Sequence, residues 1–497
     1  GGGRKEGKAM KKSMAFLMAA MTAVSLAGCA GGTPADKPAE GSTAASQSAD
    51  KEQESGQKVY PKGTITIYGT GSPQYRQQYF ETWLENHRDI APEVSVECVQ
   101  TESMADSREK ITMTALSGAL EDLPEAAVID AVNVMDLANA GLLLDETEFL
   151  SPLADQMVSG ALNDGTVGGK IYGLPDSVRP QVLFYNQEIF DRYEIDPSMM
   201  STMDGYAEAG RLLKEKSGGE VYLSYIDPGA NTWRYWGRRG LMPQAWARIW
   251  DDQGNVVIGE DEGTKLALGL LDTLNQEGLL LKSAIMQPAL YDAINNQQVA
   301  TFYIGAFWDQ FLRQNCQATA GQWRVMAAPE FEEVKKAGAP VSQYTVLLDK
   351  GDNVYRELFE QMWYDYTFDA QSKEAYVNSM EEQNAPYSNP VSLDLLEDAF
   401  WKAPSDFYGG QSFREMEGKC LANGAENLAV TPQDAEADVI ISAELETYVA
   451  GKQTMEEAIR NMDKNLTAKI SKAEITQSRG PSNGRRGLES DPLRMKG

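Results

Sequence analysis

Thr64-Ile65-Thr66-Ile67-Tyr68-Gly69-Thr70-Gly71-Ser72-Pro73 is the stretch from which the fold class can be inferred. Its first half alternates β-branched residues and predicts a strand, its glycines predict a loop, and the apolar spacing over 75–84 predicts a helix. The pattern then recurs, because predicted strands at 94–99 and 126–130 enclose a predicted helix at 107–120. Since strands that alternate with helices form sheets with a parallel tendency, we expect an α/β fold.

Three side chains follow the carboxyl ends of these predicted strands. Tyr68 ends the first strand, Thr70 lies in the loop after it, and Asp130 ends the third strand. In open α/β sheets, ligands bind beyond the carboxyl ends of the strands. We therefore predict that all three contribute to a ligand site at the edge of a cleft, with simple packing at the strand ends as the alternative.

The later chain is richer in predicted helices. Thr454 is placed to cap the last of them, and Glu457 is placed to complete a capping box. Apolar periodicity also predicts a buried strand over 299–305. The predicted helices cover 262–277, 291–297, 354–367 and 455–469.

The start of the chain has the composition of an export signal. Lys11 and Lys12 precede an apolar run over 14–26, which is too short to span a bilayer of about 30 Å as a helix. The run ends in Leu26-Ala27-Gly28-Cys29, which resembles the lipobox of bacterial lipoproteins. The resemblance implies a signal peptide over 1–28 and a lipidated Cys29, with an ordinary secretory signal as the alternative.

Both ends of the chain have the composition of disordered segments. Residues 30–57 contain no large apolar side chain, so they cannot bury enough surface to offset their ordering entropy. We expect a flexible tether over 29–57 and a disordered basic tail over 472–497. The roughly 410 residues between them exceed one compact core, so two lobes are expected from length alone.

Composition excludes several functions. The net charge of −28 argues against nucleic acid or an anionic membrane surface as a partner of the body. Cys98, Cys316 and Cys420 allow at most one disulfide, and no CxxC spacing occurs that would indicate zinc or dithiol chemistry. The sole histidine, His87, is expected at the solvated end of the first helix. We therefore expect no metal, no cofactor and no histidine-dependent catalysis.

Three motifs, taken in order, resemble one known family. The first is Gly169-Lys170-Ile171-Tyr172-Gly173-Leu174-Pro175 with Val182-Leu183-Phe184-Tyr185-Asn186, the second is Ala300-Thr301-Phe302-Tyr303-Ile304-Gly305 with Ala306-Phe307-Trp308, and the third is Gly451-Lys452-Gln453-Thr454-Met455. The chain resembles the family 1 extracellular solute-binding proteins, the receptors of carbohydrate ABC importers. The resemblance implies a two-lobed periplasmic-binding-protein-like (type II) α/β fold with a hinge and an interlobe cleft.

The resemblance also implies lobe boundaries and a hinge. Lobe 1 is expected over 58–178 and 340–390, and lobe 2 over 179–339 and 391–471. The chain is expected to cross between the lobes at 175–180 and at 339–344. Arg179 and Tyr344 lie on these crossovers and are candidate ligand contacts, with a role in the hinge as the alternative.

Sugar recognition needs aromatic faces and planar hydrogen-bonding groups, and two places in the sequence supply them. Trp308, beside Asp309, stands where the family places a stacking tryptophan. The stretch 231–239 looks like a loop and contains Trp233 and Trp236 beside arginines. We predict that Trp308, Asp309, Trp236 and Trp233 contact the ligand. For the other six tryptophans, core packing is expected.

The resemblance implies a monomeric, lipid-anchored receptor on the outer face of the bacterial cytoplasmic membrane. It would bind a sugar or oligosaccharide by lobe closure and deliver it to the transmembrane subunits of an ABC importer. Two alternatives remain open from the sequence. One is a receptor for another solute, such as a peptide or polyamine, and the other is an extracellular glycan-processing enzyme, since 73 acidic residues do not exclude a glycosidase pair.

Overall fold

The computed structural model of the chain describes residues 58–70, 73–158, 161–382, 391–397, 399–421, 424–470 and 472–475. All of them belong to one unit, which begins at residue 57. The predicted signal peptide, the lipidation site Cys29, the tether, and the tail from residue 476 lie outside the described residues.

The first lobe is built on the predicted strand–helix alternation. Strand β1 pairs in parallel with both β2 and β3. Strand β3 is the apolar run Ala126-Ala127-Val128-Ile129, and alternate residues face two different cores, one on each side of the sheet. The elements are β1 (Gly63–Gly69), α1 (Pro73–Asn86), β2 (Val94–Gln100), α2 (Met104–Leu116), β3 (Ala126–Asp130), α3 (Ala131–Asn139), α4 (Thr147–Leu150), β4 (Thr166–Val167) and β5 (Lys170–Ile171).

A single strand of 14 residues, β6 (Gly173–Asn186), runs from the first lobe into the second. Its first half pairs with β11 (Pro340–Leu347), which itself pairs with β3 of the first lobe. Its second half pairs with β9 (Thr301–Gly305) and β10 (Trp323–Ala327) in the second lobe. The two predicted crossovers are therefore neighbouring antiparallel strands. The parallel pairing expected from the sequence holds for β1 to β3 and for the short strands β7 (Ser224–Ile226) and β8 (Leu280–Lys282). Strands β6, β9, β10 and β11 all pair antiparallel.

The second lobe packs helices around one large core. Its elements before the return crossover include a π-helix where the sequence predicts a loop. In chain order they are α5 (Gln187–Arg192), α6 (Met203–Ser217), β7 (Ser224–Ile226), the π-helix (Thr232–Leu241), α7 (Met242–Gln244), α8 (Glu262–Gln276), β8 (Leu280–Lys282), α9 (Pro288–Asn295) and α10 (Trp308–Asn315).

Six α-helices follow the return crossover within the described residues. The last one begins and ends where the sequence predicts, and Thr454 and Glu457 form the predicted capping box. The helices are α11 (Arg356–Phe368), α12 (Ala370–Glu382), α13 (Leu393–Glu397), α14 (Phe413–Leu421), α15 (Asp434–Val449) and α16 (Met455–Lys469). Within the described ranges, none of the helices has both the length and the hydropathy to cross a bilayer.

The C-terminal boundaries differ in detail from the predicted ones. Val391, assigned by sequence to lobe 2, packs into a core of the first lobe, and Ser392 pairs with Met157. Ala473, assigned to the disordered tail, is buried in the second-lobe core and donates its N–H to the carbonyl of Gly254. Apolar packing therefore places Val391 with the first lobe and Ala473 of the predicted tail with the second lobe. The other predicted lobe boundaries remain predictions.

All three described cysteines, Cys98, Cys316 and Cys420, are free thiols. Burial raises the pKa of the Cys98 thiol to about 11 and those of Cys316 and Cys420 to about 12. These thiols are therefore protonated at neutral pH and unreactive. No group of three or more histidine, cysteine or acidic side chains suited to a metal ion occurs in the part of the chain that is described.

Candidate functional site

A cavity of about 540 Å³ lies between the two lobes. The first lobe contributes the N-terminal halves of α2 and α3, and the second contributes the π-helix and one face of α15. Crossover residues 340–342 also line it. The volume falls in the range of about 300–1,000 Å³ that is usual for small-molecule sites, so this cavity is the candidate ligand site.

Asp130 forms the first-lobe wall of the cavity at the start of α3. Its carboxylate caps the helix by accepting from the backbone N–H and the side-chain amide of Asn133. Its other oxygen lies 2.9 Å from the guanidinium of Arg239, which belongs to the second lobe. Burial opposes ionisation of Asp130, but Arg239, Arg234 and the Asn133 bonds outweigh it and hold the pKa below its usual range. One ion pair therefore joins the two lobes at the cavity.

The π-helix forms the second-lobe wall opposite Asp130. Thr232 fixes its start, since the hydroxyl donates to the carbonyl of Asp227 and accepts from that residue's N–H. A π-helix has about one more residue per turn than an α-helix, so residues five apart share a face. Arg234 and Arg239 consequently both line the cavity. The loop predicted for 231–239 is wrong because the buried Trp233 and Trp236 anchor the segment as a helix.

Helix α15 holds two carboxylates behind the π-helix. Arg238 lies 2.9 Å from Asp434 and 2.9 Å from Asp438, and the indole N–H of Trp233 donates to Asp438 over 2.7 Å. Asp434 and Asp438 are one helical turn apart, so both face the same guanidinium. Burial raises the pKa of Asp438 although Arg238 opposes the shift. This network fixes the orientation of Trp233 and Arg238 before any ligand arrives.

Two of the predicted site residues line this cavity, namely Asp130 and Trp233. Trp233 is only 1% exposed, so it offers little ring surface for stacking. It is the sole aromatic residue in the described lining, which otherwise consists of arginines, carboxylates, amides, hydroxyls and small apolar side chains. Hydrogen bonding, more than aromatic stacking, is what these walls provide.

The other predicted tryptophans and Tyr344 lie in the cores of the lobes. Trp308 and Trp236 are fully buried in the second-lobe core, where Trp308 packs against Phe302 and Phe311. Tyr344 is fully buried in the first lobe and donates its hydroxyl to the carbonyl of Ala161. The structure brings none of the three to the cavity wall. Trp308 follows the buried strand β9, Tyr344 lies on β11 and Trp236 lies in the π-helix, and in each case the side chain turns into the core.

The other four predicted site residues also lie outside the described cavity lining. Asp309 is buried and accepts from Arg313 and from the hydroxyl of Tyr408. Arg179 is buried on the crossover, and its guanidinium lies 2.7 Å from the carboxylate of Glu417. This contact is compatible with the alternative role in the hinge. The remaining two, Tyr68 and Thr70, are half-buried at the end of β1 and are absent from the described cavity lining.

Sequence reasoning missed the charged side chains that dominate the cavity. Arg108 on α2 pairs with Asp136 of α3 across 2.8 Å, and Asn427 donates to Asp164 over 3.3 Å. The signal for the π-helix arginines was present in the stretch 231–239, and the spacing of Asp434 and Asp438 was readable as a helical pair. Nothing in the sequence indicates that these two segments face each other.

Comparison with known proteins agrees with the two-lobed fold and the cleft. A family model described as bacterial extracellular solute-binding protein matches residues 68–358, more than half of the chain. The chain therefore belongs to the family of bacterial extracellular solute-binding proteins.

Solved structures share the fold at low sequence identity. An ABC-transporter-associated binding protein from B. animalis subsp. lactis Bl-04, in complex with β-1,6-galactobiose, superposes with a TM-score of 0.69 at 19% identity, covering 82% of this chain and 97% of that one. Maltose-bound MalE3 of T. maritima gives a TM-score of 0.67 at 15% identity, covering 82% of this chain and all of the other.

A curated relative also matches part of the chain. The arabinooligosaccharide-binding protein of Halalkalibacterium halodurans is 26% identical over 199 residues, which are 38% of this chain and 42% of the relative. The arabinooligosaccharide-binding protein of Bacillus subtilis is matched over 51% of its length. The chain thus spans about half the length of the curated relatives it matches.

Proposed function

We propose that this protein is a receptor that binds a sugar or oligosaccharide in the interlobe cavity and delivers it to an ABC importer. The observation that carries the proposal is that polar side chains from both lobes line a single cavity of about 540 Å³. The hydroxyls of a sugar must find partners when they leave water, since each unpaired one costs roughly 1–3 kcal/mol. Arginine, carboxylate and amide groups held by their own partners meet that need.

Lobe closure is the proposed binding mechanism. A ligand that touches α3 on one side and the π-helix on the other gains both sets of contacts only when the lobes are closed, so it shifts the population toward that state. The neighbouring crossovers β6 and β11 are the only described strands that join the lobes, which makes them the hinge. The names of the similar proteins, which bind arabinooligosaccharide, galactobiose and maltose, support a saccharide as the ligand.

We infer that the protein binds its ligand without transforming it. The support for this inference is that the matching family and the similar solved structures are described as binding proteins. The sole histidine, His87, is stacked on Trp83 at the end of α1. The predicted lipidation of Cys29, the tether, the monomeric state and the location on the outer face of the membrane belong to this proposal as well. Their support is the lipobox-like sequence and the extracellular family.

Calorimetric titration and thermal unfolding with arabinotriose, β-1,6-galactobiose and maltose test the proposal. At a hundred times its dissociation constant, a true ligand should raise the free energy of unfolding by about 2.7 kcal/mol. We expect binding of one molecule per chain and no product on chromatography. Turnover of the saccharide would contradict the proposal in favour of an enzyme.

A cavity-filling variant localises the site. Val439 lines the cavity from α15 and is 69% exposed, so Val439→Trp should fill the cavity without disturbing the core. Glu436 is exposed on the same helix and outside the cavity lining, so Glu436→Trp is the matched control. We expect the first variant to lose binding and the second to keep it, with unchanged unfolding temperatures. Binding that survives in Val439→Trp would place the site elsewhere.

A further inference from the structure

The arginines of the cavity differ in whether they have a carboxylate partner. Arg108 pairs with Asp136, Arg238 with Asp434 and Asp438, and Arg239 with Asp130, all at 2.8–2.9 Å. Arg234, the fourth, has no carboxylate oxygen within 4.0 Å in the part of the chain that the structure describes. Tyr235 is its hydrogen-bonding neighbour.

The winding of the π-helix directs Arg234 into the cavity. The backbone N–H of Arg234 donates to the carbonyl of Ala230, and the chain then continues with π-helical bonds. Because residues five apart share a face of a π-helix, Arg234 lies beside Arg239. Arg239 is already held by Asp130 of the opposite lobe. Arg234 is therefore a half-buried cation that faces the ligand space and is available to a ligand.

The two carboxylates that act electrostatically on Arg234, Asp130 and Asp438, are each held by another arginine. Asp130 lies 2.9 Å from Arg239, and Asp438 lies 2.9 Å from Arg238. Glu446, another cavity carboxylate, lies eight residues beyond Asp438 on α15, or about 12 Å along the helix axis. A guanidinium removed from water without a carboxylate partner costs free energy that an anionic ligand group would offset.

We propose that Arg234 binds a carboxylate of the ligand, so that the ligand class is an oligosaccharide containing at least one uronic acid residue. This inference rests on the proposed function and names the chemistry of its ligand. The planar fork of a guanidinium matches a carboxylate through two parallel hydrogen bonds. The chain as a whole carries a charge of −28 and repels anions, so binding of an acidic sugar depends on a local cation of this kind.

Matched pairs of disaccharides test the inference. The probes are α-1,4-digalacturonate against α-1,4-galactobiose, and cellobiouronate against cellobiose. The members of a pair differ only in having carboxylates in place of hydroxymethyl groups, two in the first pair and one in the second. Titration calorimetry of the wild-type protein should give an affinity for the acidic member at least about tenfold higher, because charge-assisted hydrogen bonds are about twice as strong as neutral ones. Equal or weaker binding of both acidic members would overturn the inference.

Variants at position 234 assign the effect to this side chain. Arg234→Gln should abolish the preference for the acidic sugar, so that the affinities of this variant for the acidic and the neutral member agree within about twofold. Arg234→Lys retains the charge and should recover part of the preference. Arg211→Gln removes a surface arginine on α6 that pairs with Glu277, and it should leave the preference unchanged. If Arg234→Gln lowered the affinities for the acidic and the neutral sugar by the same factor, Arg234 would be shown to bind hydroxyls, and the inference would be overturned.

The outcomes separate this inference from the proposed function. Binding of neutral saccharides without an acidic preference refutes the uronic acid alone and leaves the sugar receptor intact. Absence of binding for every saccharide, in a protein whose cooperative unfolding shows that it is folded, refutes both.

Discussion

Glu146 lies at the start of α4 with its side chain fully buried. Arg356 lies 3.1 Å from the Glu146 carboxylate, but it also pairs with Glu360 at 2.9 Å, so one cation serves two carboxylates. Burial first, and then the proximity of Glu360, raise the pKa of Glu146 to about 8. The folded protein therefore holds a proton on this group over a pH range in which the unfolded chain has released it.

This titration predicts a stability that depends on pH. The stabilisation is fully present below the unfolded pKa of 4.5 and is lost as pH rises through the folded pKa of about 8. Glu146→Gln, which mimics the protonated group, should therefore gain stability relative to wild type as pH rises from 5 to 8, by up to about 1.4 kcal/mol per pH unit. Urea unfolding of both proteins across that range measures the difference.

Glu148 provides the control for this prediction, because it lies on the same helix and is exposed. Glu148→Gln removes one exposed carboxylate from the same helix, and its difference in stability from wild type is the baseline. A Glu146→Gln variant whose difference from wild type changes with pH no more than this baseline would mean that Glu146 is ionised in the folded state.

At this scale the sequence predicted only part of the site. Asp130 lies at the cavity because its position after a strand determines where it lies. Trp308 lies in the core instead, since a tryptophan after a buried strand can turn either into the core or into the cleft, and only the packing of Phe302 and Phe311 around it decides. In the sequence, Arg234 and Arg239 are only two of several arginines among aromatic residues. Arg239 differs because it pairs with Asp130, which is over a hundred residues away in the chain, whereas Arg234 has no carboxylate partner among the described residues.

The π-helix is the element on which the second-lobe wall depends. Gly237 lies against the ring of Trp233, and a Cβ at position 237 would overlap that ring. Gly237→Ala should therefore displace Trp233 and the arginines that follow it, at a cost of about 1–3 kcal/mol in stability. We expect a lower unfolding temperature together with weaker saccharide binding, measured by calorimetry on the folded variant.

Gly269 on α8 gives the matched comparison, because a Cβ there would meet no atom within 4 Å. Gly269→Ala should raise stability by about 0.5–1 kcal/mol through the lower entropy of the unfolded chain. If Gly237→Ala behaved in the same way as Gly269→Ala, the π-helix would have room to relax, and the proposed rigidity of this wall would be wrong.

Elements with strong local signals were predicted well, and the π-helix was not. Helix α16 was placed to the residue because Thr454 and Glu457 specify its start and apolar periodicity specifies its length. The stretch 231–239 contains one glycine, three aromatic residues and three arginines without α-helical spacing, which is typical of a loop. Its winding is imposed by tertiary contacts, including the bond from the indole of Trp236 to the carbonyl of Tyr225.

At the scale of the whole molecule, the sequence predicted two lobes and two crossovers. It did not predict that the crossovers are one pair of antiparallel strands, with β6 continuing into the sheet of the second lobe. Periodicity identifies a strand, but it does not identify the strand's partner when that partner lies more than 150 residues away. Strand pairing of this kind gives the two lobes a shared backbone at β6 and β11.

The ion pair between Asp130 and Arg239 bridges the lobes opposite this hinge, and it leads to a prediction for the open and closed states. Asp130→Asn removes the charge but keeps the cap of α3, because asparagine caps helices as well as aspartate does. The variant should lose about 1 kcal/mol of closed-state stabilisation, or about fivefold in the closed-to-open equilibrium. Small-angle scattering without ligand should then show a larger radius of gyration than wild type, and saccharide affinity should fall by a similar factor.

Asp136→Asn is the control for lobe closure, because Asp136 pairs with Arg108 inside the first lobe on the same wall of the cavity. Loss of the Asp136–Arg108 ion pair alters the local charge but removes no contact between the lobes, so the radius of gyration should match that of wild type. An unchanged radius in Asp130→Asn as well would mean that the strands of the hinge alone set the angle between the lobes. An increase confined to Asp130→Asn would assign closure to the ion pair that joins α3 to the π-helix across the ligand space.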